Sequence, residues 1–261
     1  NQPQLIEFRD KQIAALICED MWASDSKQLQ SADLIIVLNA SPFSSIKHQM
    51  RIEQAKIYKK DLIYVNQIGG QDSLVFDGRS FVVSKDGSLI MQMKSFQEDL
   101  QMIDLSKKLP AQHIENNKLA DIYNALLLGL RDYVHKTGFA SVLIGLSGGV
   151  DSALVAAIAV DALGAENVTL VKMPSRYTSE QSHQDADLLI KNLGAVKSFN
   201  IPIERSFDSL LITLDEIFAD HATDLTEENM QARIRGTILM ALSNKFKQLV
   251  VATSNKSESA V

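Results

Sequence analysis

Residues 141–164 read SVLIGLSGGVDSALVAAIAVDALG, and this stretch decides the fold. The apolar run 142–146 has the length and composition of a buried strand. The loop 147–152 (SGGVDS) follows it. Residues 153–163 are rich in Ala and Leu and predict a helix, with Gly164 at its C-terminal end. The order predicted is therefore a strand, a glycine-rich loop and a helix.

This junction has the features of an anion site. Gly148 and Gly149 let the backbone turn sharply, so that successive N–H groups point at one phosphate. The helix N-terminus adds unpaired N–H donors, and Ser147 and Ser152 add hydroxyl donors. Asp151 repels a phosphate unless it holds Mg²⁺ beside it. The alternative is a plain tight turn with Asp151 as an N-cap, but the coincidence of all features favours a polyphosphate loop.

The loop matches neither of the two common nucleotide motifs, GxxxxGK[ST] and GxGxxG. SGGVDS resembles the pyrophosphate loop of the ATP pyrophosphatase superfamily. The resemblance implies an enzyme that splits ATP into AMP and pyrophosphate while it adenylates a substrate oxygen. It leaves the substrate open, because several synthetases and tRNA-modifying enzymes share the loop.

Composition narrows the class of protein. A chain of 261 residues predicts one large or two ordinary domains. The net charge of −6 without a basic block argues against a nucleic-acid partner. One cysteine excludes an internal disulfide and suits a reducing compartment, and no apolar run is long enough for a bilayer, so we expect a cytoplasmic protein without a membrane partner. Both ends look like cuts, so we expect a fragment of a longer protein.

The first 110 residues predict an α/β domain, a layered α-β sandwich. The predicted strands are 11–17, 33–39, 62–66 and a last one at 98–105; the predicted helices are a short one at 25–30 and a longer one at 45–59; the hairpin signals are Asp77-Gly78 and Asp86-Gly87. In the longer helix we expect Ile46, Met50, Ile57 and Tyr58 to contact the core.

Cys18 follows a predicted strand, where a sheet edge can hold a nucleophile rigidly. A lone cysteine after an apolar run is more often a small core residue. Its neighbours favour catalysis, because ICEDMW (17–22), LNASPF (38–43) and GGQDSLVFDG (69–78) resemble the nitrilase-like glutaminase domain of the glutamine-dependent NAD synthetase family. The resemblance implies that Cys18 attacks the side-chain amide of glutamine, forms a thioester and releases ammonia. The family's glutamate and lysine partners lie upstream and cannot be placed in this chain.

Residues 111–261 alternate helices and strands, which predicts a doubly wound parallel sheet. The predicted helices are 119–135, 153–163, 179–193, 204–218 and 226–245; the predicted strands are 142–146, 167–172, 196–201 and 249–252. Ligands of such sheets bind beyond the carboxyl ends of the strands.

Three further polar motifs follow or face these strand ends. The first, KMPSRYTSEQS (172–182), offers Ser175, Arg176, Thr178 and Ser179, although a helix N-cap at Thr178 or Ser179 is an equal explanation. The second, EENMQARIRGTILM (227–240), carries Arg233 and Arg235, which diverge by about 200° on a helix and are expected to have different partners. The third, ATSNKSE (252–258), offers Thr253, Asn255, Lys256 and Glu258. A solvated helix and a plain polar loop are the alternatives for the last two motifs.

Together these motifs resemble the NAD synthetase family in order and spacing. The resemblance implies that Ser147, Gly148, Gly149, Asp151, Ser152 and Thr253 bind ATP and its pyrophosphate, that Arg233 contacts the nucleotide substrate, and that Asp151 and Glu258 bind Mg²⁺. It also implies two domains, a glutaminase part at 1–110 and the ATP pyrophosphatase part at 111–261. The family continues past residue 261, so the second part is expected to be incomplete.

The implied reaction is the ATP-dependent amidation of deamido-NAD⁺ to NAD⁺ through an adenylate, with ammonia from glutamine. Its products are AMP, pyrophosphate and glutamate, and the family's tendency implies a dimer or larger homo-oligomer. Three alternatives remain at this point: another amidotransferase such as GMP synthetase, a nucleotide-binding module without turnover, and an inactive remnant. The amidotransferase alternative lacks support, because none of the five histidines accompanies a recognisable nucleophile motif.

Overall fold

The computed structural model describes residues 4–23, 29–107, 109–112, 117–194, 197–219 and 221–259. The chain divides after Asp132 into two compact units. The domain boundary expected at 110/111 lies earlier than this division, because the start of the following helix packs with the first unit. The short helix expected at 25–30 falls mostly outside the described residues.

The first unit is built on a six-stranded mixed sheet. Its elements are β1 (Gln4–Phe8), β2 (Lys11–Ile17), α1 (Asp20–Ala23), β3 (Leu34–Asn39), α2 (Lys47–Ile57), β4 (Asp61–Asn66), β5 (Ile68–Gln71), β6 (Leu74–Asp77), β7 (Phe81–Val83) and β8 (Leu89–Gln92). The strand order is β1-β2-β3-β4-β7-β8, with β2, β3 and β4 parallel and the outer pairs antiparallel. β5 and β6 form a separate hairpin. The three strands predicted before residue 70 are confirmed.

Helix α2 buries a different face from the one expected. Its buried residues are His48, Arg51, Ile52 and Ala55, which follow helical spacing, whereas Ile46, Met50 and Ile57 are exposed. Of the four expected core contacts only Tyr58 is buried. The apolar side chains are outside because a buried partner, Asp77, draws the guanidinium of Arg51 into the core.

The same carboxylate explains a wrong turn prediction. Asp86-Gly87 lies in the β7–β8 hairpin as expected, but Asp77-Gly78 does not form a turn between strands. The β5–β6 hairpin turns at Asp72-Ser73 instead, and Asp77 ends β6 as a buried ion-pair partner. The strand expected at 98–105 is also wrong, since these residues form no strand.

The second unit holds a four-stranded parallel sheet in the order β11-β10-β9-β12. Helix α3 (Lys118–Lys136) leads into β9 (Val142–Leu146), α4 (Val150–Leu163), a 3-10 turn (Ala165–Asn167), β10 (Val168–Lys172), α5 (Glu180–Leu193), β11 (Lys197–Asn200), α6 (Glu204–Phe218), α7 (Leu225–Phe246), β12 (Leu249–Val251) and α8 (Lys256–Ser259). The doubly wound parallel sheet is confirmed, and within the described part of the chain no helix combines the length and apolar character that crossing a bilayer requires.

Strands β9 and β10 form the centre of this sheet. Val142, Leu143 and Ile144 in β9 are fully buried, as a strand covered on both faces requires. The chain runs from β9 outward through β10 to β11 and then returns to place β12 on the other side of β9. The reversal point lies between β9 and β12, where open parallel sheets bind their ligands. The loops that leave these two strands are the SGGVDS loop and the ATSNKSE segment.

Candidate functional site

The loop after β9 depends on glycine at its second position. Gly148 has a φ of 86°, a backbone conformation that favours glycine. A Cβ at Gly148 would lie 2.4 Å from the carbonyl oxygen of Ser182, so the loop and the first turn of α5 pass too close for any side chain. Gly149 is the N-cap of α4 in an extended conformation, and no side chain caps this helix end.

Two hydroxyls hold the loop in shape. The Oγ atoms of Ser147 and Ser152 lie 3.1 Å apart, and the N–H of Gly149 donates to Ser147 Oγ at 3.1 Å. Ser152 Oγ donates to the carbonyl of Gly149 at 2.9 Å, and Ser152 is only 2% exposed. Ser152 therefore shapes the loop from inside, while Ser147 also faces the neighbouring cavity.

The first turn of α4 is open to an anion. The N–H groups at a helix start have no intrahelical acceptor, and here no side chain occupies them. Asp151 lies in this turn with an exposed side chain that makes no ion pair or hydrogen bond within the described residues. A free carboxylate beside an anion-binding turn fits a shared divalent cation better than a cap.

A cavity of about 490 Å³ lies at the carboxyl edge of the parallel sheet. It brings together Ser147, Thr178 and Thr253, from three of the four motifs, and residues 232, 235, 236 and 239 of the fourth. Its cationic or titratable lining side chains are Lys172, His183 and Arg235, and the described lining includes no Asp or Glu. This lining suits a polyanionic ligand.

The two arginines of α7 have different partners, as their spacing predicts. Arg235 lines the cavity and its Nε donates to the carbonyl of Met173 at 3.0 Å. Burial lowers the pKa of its guanidinium. Arg233, the arginine expected to contact substrate, is exposed and donates to the carbonyl of Asn229 in its own helix. The structure therefore brings Arg235, and not Arg233, to the cavity, and the role of Arg233 stays a prediction.

Some residues of the MPSRYTS motif stabilise the fold, and others line the cavity. Ser179 is the N-cap of α5 and accepts from the N–H of Ser182 at 3.1 Å, which confirms one of the two explanations for this residue. Thr178 Oγ1 accepts from the N–H of Ser175 at 2.9 Å and also lines the cavity. Arg176 pairs with Asp208 and Glu204, and the hydrogen bond to Asp208 raises its pKa. The guanidinium of Arg176 therefore already has acidic partners within the fold.

Two further cavity residues, Lys172 at the start of the KMPSRYTSEQS motif and His183 just after its end, are not among the candidate residues named from the sequence. Lys172 ends β10 and pairs with Asp187 of α5, and His183 lies in the first turn of α5. The available signal was positional, because a lysine that closes a buried strand of a parallel sheet necessarily reaches its ligand edge.

The last motif forms a closed turn. Asn255 and Glu258 exchange two hydrogen bonds, with Glu258 Oε2 accepting from the N–H of Asn255 at 3.2 Å and the N–H of Glu258 donating to Asn255 Oδ1 at 3.0 Å. Glu258 remains exposed. The described residues contain no cluster of three or more metal-ligating side chains. Asp151 and Glu258 still fit Mg²⁺, because this ion usually takes one or two carboxylates and completes its shell with phosphate and water.

In the first unit, Cys18 lies between β2 and α1 in a strained conformation. Its φ is 52°, which is uncommon for a residue with a side chain and occurs preferentially at functional sites. Its N–H donates to the carbonyl of Leu38 at 2.9 Å, and its own carbonyl accepts from the N–H of Met21 at 3.3 Å. The side chain is partly exposed. A rigid, accessible thiol at a sheet edge is the geometry that a nucleophile needs.

A buried ion pair, which the sequence pattern does not reveal, lies near this edge of the sheet. Arg51 Nη1 donates to both oxygens of Asp77, at 2.8 and 3.1 Å, and Arg51 Nη2 donates to the carbonyl of Ser41 at 2.8 Å. Asn66 joins the network through Ser41 and Asp77. The pair thus ties the LNASPF segment to the end of the GGQDSLVFDG segment.

Comparisons with known proteins agree with both halves of this description. The NAD synthase family matches residues 122–261. The chain is 43% identical over 276 residues to the glutamine-dependent NAD(+) synthetase of Acinetobacter baylyi and 44% identical over 280 residues to that of Synechocystis, covering 100% and 97% of this chain and 50% of each relative. The structure of the Acinetobacter baumannii glutamine-dependent NAD+ synthetase in complex with ADP superposes with a TM-score of 0.89 at 42% identity, covering all of this chain and 52% of that one. The chain spans about half the length of these relatives. A family match over more than half of its residues shows that the chain belongs to the NAD synthase family.

Proposed function

We propose that the protein carrying this chain is a glutamine-dependent NAD⁺ synthetase. It converts deamido-NAD⁺ to NAD⁺ with ATP and takes its ammonia from glutamine. The products are AMP, pyrophosphate and glutamate. The observation that supports this proposal most directly is a cavity at the carboxyl edge of β9, where residues of all four synthetase motifs meet.

At this cavity the chain binds and orients ATP. The open first turn of α4 receives the pyrophosphate, and the positive lining lowers the energy of charge that accumulates on it. Arg235, held by Met173, and Lys172, held by Asp187, keep that charge fixed in place. The carboxylate of deamido-NAD⁺ attacks the α-phosphorus, the P–O bond to pyrophosphate breaks, and ammonia then displaces AMP from the acyl carbon.

Asp151 and Glu258 would hold Mg²⁺ at the mouth of the loop. The ion would supply electrostatic stabilisation of the leaving pyrophosphate. The protein's own part is to present one unoccupied carboxylate, Asp151, beside the phosphate-binding turn, and to fix Glu258 through its hydrogen bonds with Asn255.

Cys18 supplies the ammonia. Its sulfur forms a bond to the side-chain carbonyl carbon of glutamine, and the C–N bond of the tetrahedral intermediate then breaks. The thiol proton leaves with the nitrogen as ammonia, and water hydrolyses the thioester to glutamate. The strained turn at Cys18 fixes the direction of attack.

We also propose that the protein is cytoplasmic and forms a dimer or larger homo-oligomer. The single cysteine and the family's habit of pairing synthetase domains support these two statements. Light scattering on the full-length protein measures the second of them directly.

The decisive experiment is pyrophosphate release from Mg-ATP by the full-length protein. We expect release when deamido-NAD⁺ and ammonia are both present, and a loss of at least about 100-fold in Asp151→Ala, because the variant loses a group that stabilises the leaving pyrophosphate. XMP serves as the control substrate. Release with XMP would move the protein to the GMP synthetases, and binding of ATP without release from either substrate would make it a binding module.

A further inference from the structure

Asn39, the last residue of β3, carries a buried amide that donates to nothing in the described chain. Its Nδ2 is shielded from solvent and has no hydrogen-bond partner among the described residues. Asn66 lies opposite it in register on β4, and both polar atoms of the Asn66 side chain have hydrogen-bond partners. Asn66 Nδ2 donates to the carbonyl of Ser41 and to Asp77, and its Oδ1 accepts from the N–H of Ser41. The side chain of Asn66 therefore stabilises the fold through hydrogen bonds, whereas the Nδ2 atom of Asn39 adds no such bond among the described residues.

The register places Asn39 beside the thiol-bearing residue. Ile17 pairs with Leu38 in the parallel β2–β3 ladder, and the N–H of Cys18 donates to the carbonyl of Leu38. This bond puts Cys18 opposite Asn39. Neighbouring strands lie about 4.8 Å apart, so the two residues are adjacent at the carboxyl edge of the sheet. Cys18, Asn39 and Asn66 form one row across three parallel strands.

A buried phenol lies two residues before Asn66 on β4. Tyr64 is only 1% exposed, and burial raises its pKa, while Arg51 and a hydrogen bond to Ser41 act in the opposite direction. The phenol of Tyr64 therefore has polar neighbours within the fold, whereas the Nδ2 atom of Asn39 has no hydrogen-bond partner among the described residues.

The unpaired amide of Asn39 has an energetic cost, and its donor character indicates which kind of group pairs with it. A buried donor without an acceptor costs about 1–3 kcal/mol, so such groups in native proteins usually serve a function. An Nδ2–H group donates only, so its partner is an acceptor such as a carbonyl oxygen. In the proposed glutaminase reaction the carbonyl oxygen of glutamine comes to Cys18, and it becomes negative as sulfur attacks.

We infer that Asn39 is a catalytic residue of the glutaminase reaction, an inference that rests on the proposed function of Cys18. As the sulfur–carbon bond forms, the π electrons of the carbonyl move to its oxygen, which accepts the hydrogen bond from Asn39 Nδ2. The oxygen returns its electrons when the C–N bond breaks and ammonia leaves with the thiol proton. The amide of Asn39 keeps its own protons throughout and stabilises the charge electrostatically.

The test compares Asn39→Leu with Asn66→Leu in the full-length protein. Both changes replace an amide in the same row by an apolar group of similar size. For Asn39→Leu we expect kcat for glutamine hydrolysis to fall by about 100-fold or more, the usual effect of removing one oxyanion donor. The ammonia-dependent rate and the thermal midpoint should not fall, since no bond within the described protein is lost. Asn66→Leu should lower the midpoint, because it breaks the Ser41 and Asp77 bonds.

The outcomes separate the inference from its premise. An unchanged kcat in Asn39→Leu, with a wild type that hydrolyses glutamine, overturns the role of Asn39 alone. A fall of the midpoint and of both activities in Asn39→Leu, as in Asn66→Leu, would make Asn39 a structural residue and also overturns it. A wild type that does not hydrolyse glutamine refutes the glutaminase function itself, and the role of Asn39 with it.

Discussion

Some single residues contribute strongly to the stability of this fold, and Arg51 is the clearest example. Its side chain is fully buried and forms a forked pair with Asp77. Removing one member of a buried pair leaves the other charge without compensation, at a cost of about 3–5 kcal/mol. We therefore expect Arg51→Met to lower the free energy of unfolding of the first unit by this amount in urea titrations. Ala in place of Lys56, whose pair with Glu53 is exposed, should change it by less than about 1 kcal/mol. Equal effects from the two variants would contradict the importance of burial here.

His48 gives the first unit a dependence on pH. Burial lowers the pKa of its imidazole below the ordinary 6.5, and its Nε2 is hydrogen-bonded to Gln92 at 2.8 Å. The unfolded chain therefore takes up a proton at a higher pH than the folded one. The stability due to neutral His48 is complete above pH 6.5 and is lost as the pH falls from 6.5 towards the lowered pKa. In His48→Gln this part of the pH dependence should disappear from urea midpoints measured between pH 7.5 and 5. The exposed His135→Gln is the matched control, and an identical slope in all three proteins would refute the assignment.

Gly148 tests the nucleotide loop. Alanine there would place a Cβ 2.4 Å from Ser182 O at a φ of 86°, so both a clash and backbone strain are expected. Gly138 has nearly the same φ of 85° but nothing within 4 Å of a Cβ, so Gly138→Ala measures the strain alone, about 1–2 kcal/mol. We expect Gly148→Ala to abolish pyrophosphate release and Gly138→Ala to preserve it. Release at the wild-type rate from Gly148→Ala would show that the loop does not need this close approach.

At the scale of elements, helix α3 is clamped by the β5–β6 hairpin. The N–H of Gly70 donates to Asp132 at 2.7 Å, and a Cβ at Gly129 would lie 3.0 Å from Val75. Arg79 adds a forked pair with Asp121. The part of α3 up to Asp132 is therefore held within the first unit by these contacts.

This packing predicts opposite effects of the same substitution in two helices. Gly129→Ala should lower the thermal midpoint, because the helix and hairpin must separate to admit the methyl group. Gly236→Ala in α7 should raise the midpoint, since nothing lies within 4 Å of its Cβ and alanine favours a helix by up to about 1 kcal/mol. Calorimetry on both variants measures the contrast, and stabilisation by both would show that the clamp is loose.

The elements were largely predictable from sequence, and the failures share a cause. A short apolar run such as 142–146, bounded by turn residues, indicates a buried strand, and helices that alternate with such strands predict the parallel sheet. The buried face of α2 was misjudged because hydrophobicity does not reveal that Arg51 has a partner 26 residues away. On α7, spacing shows that Arg233 and Arg235 diverge, and the contact with Met173 brings Arg235 to the cavity. The substrate role of Arg233 stays a prediction. Long-range polar partners are what the sequence pattern does not contain.

For the whole molecule, two compact units with separate sites predict separable activities. Cys18 lies in the first unit, and Asp151 in the second. Cys18→Ala in the full-length protein should lose glutamine-dependent NAD⁺ formation entirely, because alanine offers no nucleophile. The same variant should keep the rate obtained with ammonium salts, since the nucleotide loop is unaltered. Asp151→Ala should lose both the glutamine-dependent and the ammonia-dependent rate.

The measurement is NAD⁺ formed from deamido-NAD⁺ with each nitrogen source, with glutamate release followed in parallel. Glutamine-dependent synthesis that survives in Cys18→Ala would place the nucleophile elsewhere, and loss of the ammonia-dependent rate would mean that the thiol serves both reactions. The expected result is that Cys18→Ala loses only the glutamine-dependent rate and Asp151→Ala loses both rates. This result alone agrees with a thioester at Cys18 that supplies ammonia to an adenylate at the loop after β9.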